Sequence, residues 1–192
     1  RCPTPRSDPD SARVQITDNP SRKQTARVPR PPTLPDGYEV LRVLAGTPNG
    51  QVLHARLLDR EVAVRTSLGT DPAMAEARRS ELAVLATIDH PGLARLVDHG
   101  QLPGGEGEYL ARTWIEGRDL AAWAEEAAPE EIGAAVARLC PALEHLHRRG
   151  FVHGDLKPDN AVVTPGGAVV LTDFGLAQPR SASEVATGVF GT

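Results

Sequence analysis

The sequence predicts an α+β chain in two lobes: a five-stranded antiparallel half carrying one helix, then an incomplete helical half. Three observations lead there. β-branched and leucine-rich runs divided by turn residues fill the first half from Gly37. An apolar stripe at steps of three and four governs the chain after Gly117. A dense polar stretch, FVHGDLKPDN over Phe151–Asn160, is followed by DFGLA, whose Asp173 stands thirteen residues after Asn160.

The elements follow in order. Residues 1–36 hold eight of the seventeen prolines and no sustained period, so a disordered linker is expected there. The runs YEVLRVL, QVLHARLL and REVAVRTSL predict three successive antiparallel strands. Asp71 and Pro72 offer an N-cap and a first-turn proline to the helix AMAEARRSELAVLATI, in which Leu82, Leu85 and Ile88 share a face. Two more strands are expected at LARLVDHG and EYLARTW, joined by the glycine turn LPGGEGE.

Beyond Gly117, Asp119 can cap LAAWAEEA, and Pro129 opens a helix whose stripe is Ile132, Val136, Leu139, Leu143 and Leu146. Pro141 lies inside that stripe. It removes a backbone hydrogen bond, so a bend is expected near Ala137, four residues earlier. Gly150 ends the helix, and AVVT-PGG-AVVLT reads as a small hairpin.

Composition narrows the function. With 192 residues, 40% apolar content and no apolar run near the ~18 residues a bilayer span needs, the chain is expected to be a soluble, cytoplasmic domain without a membrane segment. The opening RCPTPRSDPD has no apolar core of a signal peptide. A net charge of −4 argues against a nucleic-acid binder. Residues 1–36 carry +3 (seven Lys/Arg, four Asp/Glu), which leaves −7 for the rest. The two cysteines, Cys2 and Cys140, are too few for a disulfide framework, and Cys140 is expected to be a buried thiol.

Transferring a γ-phosphoryl group demands positioning and neutralised charge more than covalent chemistry. A carboxylate must accept the hydroxyl proton, a cation must sit by the moving phosphate, and two oxygen ligands must hold magnesium. Asp155, Lys157, Asn160 and Asp173 supply all four types. The order and spacing of HGDLKPDN and DFGLA resemble the protein kinase family. The resemblance implies Asp155 as catalytic base, Lys157 as the phosphate-side cation, and Asn160 and Asp173 as magnesium ligands. It implies ATP and Mg2+ as cofactors and a serine or threonine hydroxyl of a protein as acceptor, because DLKPxN is similar to the serine/threonine branch.

The resemblance covers nearly all of residues 38–192, with a first lobe at 37–115 and part of a second at 116–192. Glu81, nine residues before HPGLARL, stands where the family's helix glutamate does. YLARTWIEG is similar to the strand and hinge that present backbone groups to adenine, with Thr113 and Ile115 at the presenting positions. Val52, Ala63 and Val162 match the residues that sandwich the adenine ring. Leu85, Leu96, His153 and Phe174 match an apolar column between the lobes, which plain core packing would also explain.

The sequence also departs from the pattern. In AGTPNGQV only Gly50 and Val52 keep the register of the glycine-rich loop, with Ala45 and Thr47 in place of glycines and Pro48 lacking a donor. The strand lysine of the family is Arg65, a planar fork in place of a point charge. No lysine between residues 24 and 156 can substitute for it. Gly154 replaces the arginine of H-R-D, which removes a contact to a phosphorylated activation segment. Ser181, Ser183 and Thr187 are candidates for modification. Arg112 falls beside adenine. The final GVFGT resembles the start of the segment leading to A-P-E, so a piece of a longer protein is expected.

Three readings stay open from the residues. The first is a serine/threonine protein kinase of reduced activity, and the second a pseudokinase that acts as a nucleotide-binding or scaffolding module. The third is a small-molecule phosphotransferase, since aminoglycoside phosphotransferases also carry H-G-D-L.

Overall fold

In the computed structural model, the described residues are 31–180 without Pro48, Thr70, Asp71 and Glu106; of 72–75 and 77 only the backbone is described. The expected linker is therefore described only from residue 31. Its Leu34 is buried in the sheet's core, which corrects the expectation of a free segment to residue 36 at that residue.

The first half is one five-stranded antiparallel sheet: β1 (Tyr38–Thr47), β2 (Gly50–Leu57), β3 (Arg60–Leu68), β4 (Leu96–Gln101) and β5 (Gly107–Thr113). The spatial order is β1-β2-β3-β5-β4, so β5 lies inside the sheet beside β3. Alternation sets the two faces. Leu53, Ala55, Val62, Val64, Tyr109 and Ala111 bury one face. The intervening Val52, Ala63, Arg65, Leu110 and Arg112 share the other, since the register pairs Val52 with Arg65, Arg65 with Leu110, and Ala63 with Arg112. Helix α1 (Pro72–Leu85) follows β3.

A polar tie closes the sheet's core side. The hydroxyls of Tyr38 and Tyr109 both donate to Oδ2 of Asp98 at 2.8 Å. Burial and the neighbouring carboxylate push the Tyr109 hydroxyl up to about 12.

The second half runs β6 (Arg118–Asp119), α2 (Leu120–Ala124), α3 (Pro129–Ala137), α4 (Cys140–Arg148) and β7 (Phe151–Val152). A 3₁₀ turn (Pro158–Asn160) then leads to β8 (Ala161–Val163), β9 (Val169–Leu171) and β10 (Gln178–Pro179). Asp119 caps α2, accepting from the Ala122 N–H at 2.7 Å. Glu131 reaches back to accept from the Ala128 N–H at 2.9 Å at the start of α3. The bend expected near Ala137 is a full break, with Pro141 in the first turn of α4, where its missing donor costs nothing.

Two expectations for these helices are corrected. Cys140 is exposed, because α4 buries Ala142 and Leu146 and a residue two places before Ala142 points about 200° around the helix. Val136 is 49% exposed, because α3 turns Ala135 and not Val136 to the core. The predicted hairpin is β8 and β9, paired antiparallel from Ala161–Leu171 to Val163–Val169.

The two halves share one core. Val84 and Leu85 at the end of α1, and Ile88 three residues past it, pack in the same cluster as Leu139, Leu146, Leu171 and Phe174, with Leu96 against it. The segment expected to open the fourth strand does something else first. Leu93 bridges Leu171 in parallel, the Ala94 N–H donates to Leu171 O at 2.8 Å, and the Leu171 N–H donates to Gly92 O at 2.9 Å. No helix among the described residues is long and apolar enough to cross a membrane.

Candidate active site

The polar stretch begins as β7 and then leaves regular structure at Gly154, whose φ is +76°. A Cβ there would run into the carbonyl oxygen of Leu176. Only glycine fits both the backbone and the space. The glycine that stands where the resemblance would put arginine is thus required by this loop's own path.

The loop's side chains converge on Asp155. Lys157 Nζ donates to its Oδ2 at 2.6 Å, and Asn160 Nδ2 donates to the same oxygen at 2.9 Å and to the Asp155 carbonyl at 2.8 Å. Lys157 first, then Asn160, hold the Asp155 carboxyl below the usual carboxylate range, and Asp155 in turn holds the Lys157 ammonium up. Asp155 is therefore an ionised acceptor at neutral pH. Asn160 is buried by the 3₁₀ turn, and with its amide nitrogen spent on Asp155 it keeps a hard oxygen to offer.

The loop is tied to the strand end that carries Asp173. Thr172 donates its backbone N–H to Asn160 O at 2.9 Å, one residue before Asp173. Asp173 Oδ1 accepts from the Gly175 N–H at 3.0 Å, and its side chain remains 43% exposed. Phe174 is fully buried, its ring 5.3 Å from that of His153. Burial, first of all, lowers the His153 imidazole, so it sits neutral beneath the site.

A second charged group faces this one from the sheet. Arg65 Nη1 donates to Glu81 Oε2 at 3.2 Å and to Asp173 Oδ1 at 3.4 Å. Gly175 makes room for this, since a Cβ there would press on Arg65 Nη1 at 2.7 Å. Glu81 is buried, and Arg112 Nη1 lies 3.8 Å from its other oxygen, Oε1. Burial pushes the Glu81 carboxyl up, while Arg112 and then Arg65 pull it back. The structure thus gathers Asp155, Lys157 and Asn160 in one cluster and Arg65, Glu81 and Asp173 in a second, joined by the Thr172 N–H to Asn160 O. Arg112, which the resemblance puts beside adenine, reaches Glu81 in the structure, a pairing the sequence reading did not foresee.

The apolar candidates lie around this centre with less definition. Val52 and Ala63 are half-buried on the Arg65 face of the sheet, and Val162 is half-buried in β8. Thr113 donates its N–H to Arg95 O at 2.9 Å, which leaves its carbonyl as the group it can offer a ligand. Ile115, past the end of β5, is half-buried. Gly50 serves packing, since a Cβ would strike Thr66 O on β3. The exposed Thr47 hydroxyl donates across the turn to Gly50 O at 3.3 Å. Pro48, Ser181, Ser183 and Thr187 lie outside the described residues.

A family model described as "Protein kinase domain" matches residues 42–192. "Serine/threonine-protein kinase PknA" of Mycobacterium tuberculosis is 35% identical over 173 residues, covering 83% of this chain and 40% of the relative. "Serine/threonine-protein kinase PknB" of Mycolicibacterium smegmatis is 32% identical, with 77% of this chain and 25% of the relative covered. That of Mycobacterium leprae is 31% identical, covering 84% and 28%. The chain spans less than half the length of these relatives.

Proposed function

This chain belongs to the protein kinase family, and from that premise we propose that the whole protein transfers the γ-phosphoryl group of ATP to serine or threonine hydroxyls of proteins. The observation that carries this reading is the Asp155 cluster, an ionised carboxylate held by Lys157 and Asn160 and tied through Thr172 to Asp173. Loops of solvated polar residues rarely assemble base, cation and two oxygen donors in one place.

In this proposal Asp155 accepts the proton of the attacking hydroxyl, and Lys157 orients that carboxylate and faces the moving phosphate. Asn160 and Asp173 would hold Mg2+, and the donor set fits: one amide oxygen and one half-exposed carboxylate are hard ligands of the kind magnesium takes alongside water and phosphate. The metal, when bound, supplies positive charge to the phosphates. Arg65, held by Glu81, faces the phosphates from the sheet. Val52, Ala63 and Val162 enclose the adenine, with Thr113 and Ile115 presenting backbone groups, and Gly50 shapes the hairpin above it.

We take the lobes as 37–115 and 116–192, with 1–36 as a linker anchored at Leu34. As a proposed user of ATP, the domain is taken to work in the cytoplasm. The rate is expected to be reduced, because Arg65 Nη1 sits on Asp173, the carboxylate the metal needs.

That same contact supports a second reading, a pseudokinase that binds nucleotide without turnover. The two are separated with the full-length protein, γ-labelled ATP, Mg2+ and a generic protein substrate. Label appearing on serine or threonine supports the enzyme. Thermal stabilisation by MgATP with no transfer supports the pseudokinase.

A further inference from the structure

The sheet register that brings Arg65 to the cleft face brings Arg112 there as well. Arg65 pairs with Leu110 across β3 and β5, and Ala63 pairs with Arg112, so the two arginines lie one diagonal step apart on the same face. They differ in exposure. The Arg65 side chain is 32% exposed and that of Arg112 only 8%.

A guanidinium buried this deeply is costly unless it is paired. Its pair is Glu81, itself 2% exposed, with Arg112 Nη1 at 3.8 Å from Oε1. Neither of those two atoms has a hydrogen-bond partner among the described residues, so each answers chiefly to the other's charge. The other oxygen of Glu81 goes to Arg65 at 3.2 Å.

Two cations on one buried carboxylate change what the outer one can do. With a single cation, turning it toward another anion would strand Glu81 unpaired in the interior. With Arg112 behind it, Glu81 stays paired while Arg65 reaches elsewhere. Arg65 already does so, sharing Nη1 with Asp173 Oδ1 at 3.4 Å.

We propose that Arg112 is a positioning residue that holds the Glu81 carboxylate from its buried side, freeing Arg65 to give its N–H groups to the α- and β-phosphates of a bound nucleotide. The proposal rests on the nucleotide reading above. It explains how a chain without a strand lysine keeps a phosphate-side cation on the sheet.

The test compares MgADP with adenosine, which lacks the phosphates, by calorimetry on the full-length protein. Arg112→Met is expected to weaken MgADP about tenfold and adenosine by less than about twofold. In an Arg65→Met background it should have no further effect on MgADP. Equal losses for both ligands would make Arg112 a wall of the adenine pocket and overturn the proposal. Unchanged MgADP affinity, or losses that add in the double variant, would overturn it too. Should Arg112→Met not fold, Arg112→Lys decides: a smaller loss confined to MgADP supports the proposal, and parallel changes in both ligands refute it. A wild-type protein that binds neither ligand would sink the nucleotide reading and the inference together.

Discussion

Nη1 of Arg65 stands 3.4 Å from Oδ1 of Asp173 and 3.2 Å from Oε2 of Glu81, so a single guanidinium joins the sheet, the helix and the end of the second half's strand. The arrangement is compact and self-satisfied. It also occupies the carboxylate proposed to hold the metal, which gives the first prediction.

Arg65→Lys should raise the rate of phosphoryl transfer. A lysine ammonium keeps the charge on Glu81 but sits on a shorter side chain, and so reaches less far toward Asp173 than Arg65 Nη1 does. Releasing that carboxylate is expected to raise kcat/KM for MgATP about fivefold, roughly 1 kcal/mol off the barrier. Steady-state kinetics of the two proteins check it, and a rate equal to or below wild type counts against the geometry.

Lys157→Ala should shift the acid side of the pH–rate profile. The ammonium 2.6 Å away is the first cause of the depressed Asp155 carboxyl. Depression means that wild-type Asp155 stays ionised to below the ordinary carboxylate value of about 3.9. Without the cation that value rises, so activity is lost at higher pH on acidification than in wild type. A kcat/KM profile whose acid limb does not move refutes the coupling.

Much of this site was legible because its chemistry lies in short intervals. Asp155, Lys157 and Asn160 span six positions on one loop, so their proximity follows from local chain geometry. The break at Pro141 was legible for the same reason, since a missing N–H acts within one turn. Arg112 was not. Glu81 lies on α1, thirty-one residues before Arg112, and only the packing of that helix against the face of the sheet that carries Arg112 brings the two together. Cys140 and Val136 were misread because the small residues Ala135 and Ala142 share the buried stripe with Leu139 and Leu146, at steps of four, three and four, and a stripe traced through the large apolar residues alone put Val136 in place of Ala135. Leu34 was hidden by its proline-rich surroundings, whose composition says nothing of one leucine reaching the core.

Gly154→Arg should destabilise the protein without installing regulation by a phosphorylated segment. The residue sits at φ +76° with Leu176 O where a Cβ would go. Strain of this kind costs roughly 1–3 kcal/mol. Thermal unfolding should show a Tm lower by several degrees. An unchanged Tm would mean that the loop has a second path.

Asp98→Ala should cost about 1 kcal/mol, because it removes the charged acceptor that two part-buried tyrosine hydroxyls share. Burial raises the Asp98 carboxyl, but the hydroxyls of Tyr109 and Tyr38 outweigh it and leave it lowered. A lowered folded value contributes stability that is present above the unfolded value, about 3.9, and is lost as pH falls through the folded one. Urea unfolding of wild type and Asp98→Asn between about pH 5 and 2.5 checks this. The variant should lack that part of the acid loss, and parallel curves would contradict it.

The central claim is that Asp155 accepts a proton from the attacking hydroxyl, and Asp155→Asn in the full-length protein tests it most directly. The amide keeps the size and the contacts to Lys157 and Asn160 but cannot take the proton. With MgATP and a generic protein substrate, transfer should fall at least about 100-fold while MgATP affinity stays near wild type. Transfer at the wild-type rate would contradict the account.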